Sequence, residues 1–215
     1  LAKRELLNWD LILDKNSVAA GIYNQWEREL MARANRVYVP ESLRGLVTLQ
    51  LSTLIGWLTD PAMKPEDRKA FLQGSFEDAL NGLKKKLGPN MAGWTYGQEK
   101  YKHSTMEHQL NSLVNSEWKK KLNVGPLPRG GNSYTPGSTG GSDNQLSGAS
   151  FRLLVDVGDW DKTLMINTPG QSGDPESPFY RNLFPLWAND QYFPAYYSKE
   201  KVNGVAAERM RLLPK

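Results

Sequence analysis

The sequence contains no cysteine. Disulfides, thiolate metal sites and a cysteine nucleophile are therefore excluded, whereas the compartment is left open, because many bacterial periplasmic proteins also lack cysteine. Histidine is nearly absent too, with only two residues, His103 and His108. No apolar run approaches the ~20 residues that a membrane helix needs. Neither sign of charge dominates: 27 Lys and Arg face 23 Asp and Glu, for a net charge of +4. The basic residues are dispersed, so a nucleic-acid surface has little support. The tight runs Lys84-Lys85-Lys86 and Lys119-Lys120-Lys121 read as helix C-termini or solvated faces. No internal repeat is found, and no signal peptide follows Leu1. The chain accordingly reads as a processed product, an engineered segment or a fragment of a longer protein.

What is present describes an ordinary globular polypeptide. The 215 residues are 39% hydrophobic and 23% charged, enough for one large domain or two small ones. Seven Trp and nine Tyr call for a sizeable core. Up to about residue 90 the pattern is helical. Val18, Ile22, Trp26 and Leu30 recur at four-residue spacing, with Asn16 or Ser17 as the cap. Leu43, Val47, Leu51 and Ile55 make one row, and Leu46, Leu54 and Leu58 the adjacent one. That wide stripe predicts the most buried helix, packed against those that carry Trp26 and Phe76. Pro65 opens a further helix with acidic first turn, the Lys84 run closes it, and Gly88 and Pro89 stop it. Its predicted inner face is Leu72, Phe76, Leu80, Leu83 and Leu87.

The character changes at Asn90. "MAGWTYGQEKYKH" reads as a strand edge or an irregular extended segment. Residues 125–149, rich in Gly, Ser and Pro, read either as a linker or as a long surface excursion. Phe151 to Val157 and Thr163 to Thr168, flanking "GDWDK", predict a hairpin. A helix is expected from the Ser-Pro start at Ser177, followed by an aromatic run that should pack. The expected class is α+β: a helical segment over 1–90, then a small, mostly antiparallel sheet with the Gly-rich loop and a C-terminal helix over 91–215, forming one structural unit.

Three patterns invite a chemical reading. Gly170-Gln171-Ser172-Gly173-Asp174 follows an apolar strand, as a nucleophile elbow would. The elbow pattern is G-x-S-x-G, and here the second glycine falls one position early. His103 and His108 are five apart rather than four, with no third ligand after them, which argues against a zinc helix. Asp156, Asp159 and Asp161 crowd the hairpin turn without the closing glutamate of a calcium loop. The loop "RGGNSYTPGSTGG" lacks the G-x-x-x-x-G-K-[ST] of a phosphate cradle. No catalytic, cofactor-binding or metal-binding residue is therefore assigned. A Gly-rich structural turn is the expected role of Ser172, and turn chemistry that of Asp159 and Asp161.

The order of landmarks resembles the later part of the β-subunit of the penicillin acylase family. Trp9-Asp10 precedes Ser17, Ala19, Ala20, Ile22, Tyr23 and Trp26, similar to the family's "S-x-A-A-x-[IL]-[YF]-x-x-W". Trp94 to Gly97 resembles its "W-x-[WY]-G", with His103 and His108 in the histidine-containing continuation, and "GPLPRGGNSYT" resembles its "P-x-x-G-G-x-x-[TS]". The tail matches in order: Gly148-Ala149-Ser150 and Arg152 as "G-[AP]-S-x-R", then "GQSGDPESPFY", then Trp187, Tyr192 and Pro194 as "W-x-x-x-x-Y-x-P". The likeness covers nearly the whole chain.

This resemblance implies an N-terminal-nucleophile hydrolase whose intact fold is a four-layer αββα sandwich. It implies cleavage of N-acyl amides, of the penicillin side-chain or acyl-homoserine lactone class, through a covalent acyl-enzyme. The family's nucleophile is the first Ser of the β-subunit, activated by its own α-amine. That Ser, the oxyanion-hole Asn, its neighbouring Arg and the calcium ligands of members that hold calcium all lie upstream of Trp9-Asp10, so none carries over to this sequence. The expected partners are the rest of the β-subunit, the α-subunit and the N-acyl substrate, with no nucleic acid and no membrane. The expected location is periplasmic or secreted, and the chain alone is expected to be inactive and to self-associate. The rival reading is a non-enzymatic module that binds a partner or a ligand through the Gly-rich loop.

Overall fold

The computed structural model describes residues 1–214. The chain divides into two compact units, one of residues 1–103 with 128–132 and the other of residues 104–127 with 133–215.

The first unit is built on helices α1 (Ala2–Leu7), α2 (Val18–Tyr38), α3 (Leu51–Thr59) and α4 (Pro65–Leu87). The Ser17 hydroxyl caps α2 by accepting from the Ala20 amide at 3.1 Å. Pro65 pre-sets the first turn of α4, Glu66 and Asp67 complement its positive end, and Lys84 to Lys86 its negative end. The two long helices pack together. The Trp26 indole donates to the Ser75 hydroxyl at 3.0 Å, Trp26 and Phe76 meet edge to face at 5.2 Å, and Arg33 pairs with Asp78 at 2.7 Å. The buried row of α4 is Phe71, Ser75, Ala79 and Leu83. Of the expected inner face, Leu83 is fully buried, and Phe76, Leu80 and Leu87 pack half-buried against its cluster; Phe71, Ser75 and Ala79 were not expected, and Leu72 flanks that row half-buried.

The wide apolar stripe is the largest departure from expectation. Leu43 to Leu58 do not form one helix. Glu41–Leu43 make a single 3-10 turn, the chain turns at Gly45 with φ +93°, and α3 starts only at Leu51. With the helical register lost before Leu51, the two rows never line up on one face. Leu54 is buried against Ala34 and Phe71, whereas Leu46 is 81% exposed and Leu43, Val47 and Ile55 are also exposed.

Three separate landmarks of the sequence interlock in this unit. The Tyr96 amide donates to the Ser17 carbonyl at 3.1 Å, the Gly97 amide to Lys15 at 2.6 Å and the Gly131 amide to Leu13 at 2.9 Å. The Tyr96 hydroxyl reaches the Gly131 carbonyl at 2.8 Å. Tyr96, Tyr101, Trp94, Ile22 and Leu83 form the buried cluster between them.

Apart from the end residues His103 and Pro128, β1 (His103–Met106) and its neighbour β2 (Val124–Pro128) belong to the second unit, which also carries the three-stranded sheet β3 (Phe151–Leu154), β4 (Leu164–Asn167) and β5 (Phe193–Pro194), in that order. β3 pairs antiparallel with β4, and β4 with β5. Helices α5 (Ser116–Leu122), α6 (Phe184–Ala188) and α7 (Lys199–Val205) complete it. Ile166, Phe184, Trp187, Tyr180 and Val124 make its core. The α+β class expected from the sequence is the class observed.

Two expected elements are shorter than their patterns. β3 ends at Leu154 because the Asp156 carboxylate accepts from the amides of Gly158 at 2.9 Å and Asp159 at 3.0 Å, wrapping the chain into a turn. The expected helix from Ser177 starts only at Phe184. In a helix the Phe179 carbonyl would accept from Leu183. Here it accepts from the Gln171 and Ser172 amides at 2.9 and 3.2 Å, and Leu183 donates instead to Pro169 at 3.0 Å.

Candidate functional site

Ser172 sits half-buried in that cross-linked turn. Its hydroxyl accepts from the Asp174 amide at 3.1 Å, which is turn geometry rather than a link to a base. Gly170 is required where it stands: a Cβ there would lie 2.2 Å from the Phe179 carbonyl oxygen. Gly170 therefore serves the close approach of residues 170 and 179, whereas a Cβ on Gly173 would meet no atom within 4 Å.

The histidines act separately. His108 Nδ1 accepts from the Leu110 amide at 3.1 Å, capping the 3-10 turn Gln109–Ser112. His103 is half-buried at the start of β1. Among the described residues no group of three or more His, Asp or Glu is arranged to hold a metal.

The three aspartates of the hairpin are committed to backbone amides. Asp156 caps the turn as above, Asp159 accepts from Asp161 at 3.2 Å, and Asp161 accepts from both Tyr197 and Ser198 at 2.8 Å. These bonds, the Ser198 amide first, hold the Asp161 carboxyl below the usual carboxylate range. A carboxylate occupied in this way is a poor calcium ligand, so the trio does not fit a cation site. Asp161 instead ties the β3–β4 turn to Ser198, the cap of α7. Nothing in the spacing of residues 161 and 198 announces that link.

The Gly-rich loop is anchored at particular residues, although Tyr134 and Leu146 on it are exposed. Thr139 and Gln145 are buried, the Ser104 hydroxyl donates to the Gln145 carbonyl at 3.3 Å, and Asn144 accepts from the Thr105 amide at 2.8 Å. Arg152 brings the two ends of the tail motif together. Its guanidinium pairs with Asp190, donates to the Trp187 carbonyl at 2.7 Å and lies over the rings of Trp187 and Tyr192 at 5.7 and 5.3 Å. The Trp187 indole donates to Ala149 at 2.9 Å. The landmarks thus form a clamp around an arginine.

Elsewhere, burial raises the Glu27 carboxyl above its ordinary range, against the opposing pull of Tyr23 and Arg28. No helix among the described residues is long and apolar enough to cross a membrane.

A model of the penicillin amidase family matches residues 2–204. The chain belongs to that family. Among curated penicillin amidase relatives it is 26% identical, over 99% of its length, to penicillin acylase 2 proenzyme of Pseudomonas sp. (strain SE83). It is 27% identical, over 74% of its length, to the acyl-homoserine lactone acylase QuiP of Pseudomonas aeruginosa. It spans 28% and 20% of those two proteins. Among solved structures, thermostable penicillin G acylase from Alcaligenes faecalis shares the fold at a TM-score of 0.53 and 18% identity, covering 100% of this chain and 42% of the acylase chain. The expected family is thus the observed one, and its tail motif is the Arg152 clamp.

Proposed function

We propose that this chain is the structural C-terminal part of an amide hydrolase that acts on N-acyl substrates, of the penicillin side-chain or acyl-homoserine lactone class. The family match over residues 2–204, with relatives named for both acylase activities, carries this reading. Hydrolysis proceeds through attack of an N-terminal Ser hydroxyl on the amide carbonyl, its α-amine taking the proton and passing it to the departing amine as the C–N bond breaks; water then hydrolyses the resulting acyl ester, releasing the carboxylic acid and restoring the Ser. Those groups belong to polypeptide outside the present sequence, as do the ligands of any calcium. This chain contributes the helical pair α2 and α4 and the β3–β4–β5 sheet to the larger sandwich. Its partners are the remainder of the β-subunit and the α-subunit, and the working compartment is the periplasm or the exterior.

The test is a hydrolysis panel on the intact polypeptide, spanning penicillin G, phenylacetyl anilides and acyl-homoserine lactones. Release of acid from at least one N-acyl amide is expected, with none from the 215-residue chain alone. An intact, folded polypeptide inert towards all three classes would overturn the reading.

A further inference from the structure

The first unit holds a groove of about 610 Å³ among α1, α2 and α4, within the size range of small-molecule sites. Its apolar wall is Leu6, Trp26, Leu72 and Phe76, all half-buried. Three cations also line it, Lys3, Arg68 and Lys69, and no carboxylate does. Lys3 and Lys69 are exposed and make no ion pair among the described residues. Arg68 is half-buried and bonds only to carbonyls, Asp60 at 3.0 Å and Met63 at 3.5 Å. Its Nε is buried with no partner. A guanidinium satisfied only in part by neutral oxygens, beside two further cations, leaves positive charge uncompensated at the edge of an apolar cleft. A carboxylate would bring the opposite charge and two acceptor oxygens that match the guanidinium fork, which single carbonyls do not.

We infer that this groove is a binding site for a small amphipathic carboxylate, with the acid on Arg68 and the lysines and an alkyl or aryl body against Trp26, Leu72 and Phe76. A neutral apolar ligand would leave the cations unanswered, and a cationic one would be repelled. The inference does not depend on the hydrolase reading, because it is read by binding alone.

The probe is octanoate, titrated calorimetrically into the chain alone and within the intact polypeptide, beside 1-octanol and octylammonium. Saturable one-to-one binding of octanoate is expected in both forms, about tenfold tighter than either comparison compound and weaker at high salt. The Lys3→Glu/Lys69→Glu variant removes exposed cations without touching a packed side chain, and should lose about tenfold in affinity. Arg68→Gln should lose at least as much. Because Arg68 also holds the Asp60 carbonyl, its result is read beside the lysine variant, whose fold has no reason to change. Absence of saturable binding, equal affinity for 1-octanol, or an unchanged lysine variant would each overturn the site. Binding by the chain alone that vanishes in the intact polypeptide would also overturn it, assigning the groove to another part of the protein.

Discussion

The Tyr101 hydroxyl donates to the carbonyl of Gly21 at 2.8 Å, across 80 residues of sequence. It does so because α2 has no side chain at that point: a Cβ on Gly21 would lie 2.3 Å from the Trp94 carbonyl oxygen and 3.5 Å from the Tyr101 ring. The run Ala19-Ala20-Gly21 is therefore a flat landing for the segment that starts at Trp94.

Gly21→Ala should destabilise the protein by about 1–3 kcal/mol through overpacking, although Ala is the better helix former by about 1 kcal/mol. Tyr101→Phe, which loses only the hydrogen bond, should cost about 1 kcal/mol. Urea unfolding of the two variants checks this. A stabilised Gly21→Ala protein would mean that the segments at 21 and 94 are not in contact.

Leu54→Ala should cost about 2–5 kcal/mol, because Leu54 is 1% exposed against Ala34 and Phe71. Leu46→Ala should stay within about 0.5 kcal/mol, since Leu46 is 81% exposed. The same unfolding experiment separates the two leucines, and equal costs would restore a continuous helix over 43–58.

That pair shows what the sequence could and could not reveal. α2 was legible from its Ser17 cap and long apolar period, and α4 from Pro65, its end charges and its apolar period. The stripe from Leu43 to Leu58 has the period but not the helix, since the turn at Gly45 breaks the register, a local event that periodicity does not register. The hairpin was legible as strand, turn and strand, but its end depended on the Asp156 side chain, not on hydrophobicity. The landmark motifs were visible as an ordered list of residues. That Arg152, Trp187 and Tyr192 form one clamp, and that Gly170 exists to let Phe179 approach, required the third dimension. The cationic groove escaped notice because Lys3, Trp26 and Arg68 lie on three helices far apart in sequence.

Asp161 should make the docking of α7 acid-sensitive. Its carboxyl is held below the ordinary value of about 3.9, so the contribution is present above that value and is lost as pH falls through the lower, folded-state value. Protection of the Tyr197 and Ser198 amides, measured relative to intrinsic exchange at the same pH, should fall in that acid window, and Asp161→Asn should show the lower protection already at neutral pH. Identical exchange in the variant and the parent at neutral pH would remove Asp161 from the contact.

The sheet should drive association of the isolated chain. Among the described residues β3 has only β4 as a neighbour, and Phe151, Leu153, Leu154 and Val155 are all exposed, an unprotected apolar edge. Sedimentation at rising concentration should show self-association that Leu153→Lys weakens. A strictly monomeric chain that binds no hydrophobic dye would show that this face needs no neighbour.

The decisive measurement is kcat/KM of the intact polypeptide carrying Ser172→Ala, on an N-acyl amide that the parent hydrolyses. With Ser172 committed to the Asp174 amide, and on the proposal that the catalytic groups come from outside this chain, kcat/KM should stay within a few fold. A loss of about a thousandfold or more, the scale of a missing nucleophile, with an unchanged circular dichroism spectrum, would place the reaction at Ser172 and contradict a purely structural role for this chain.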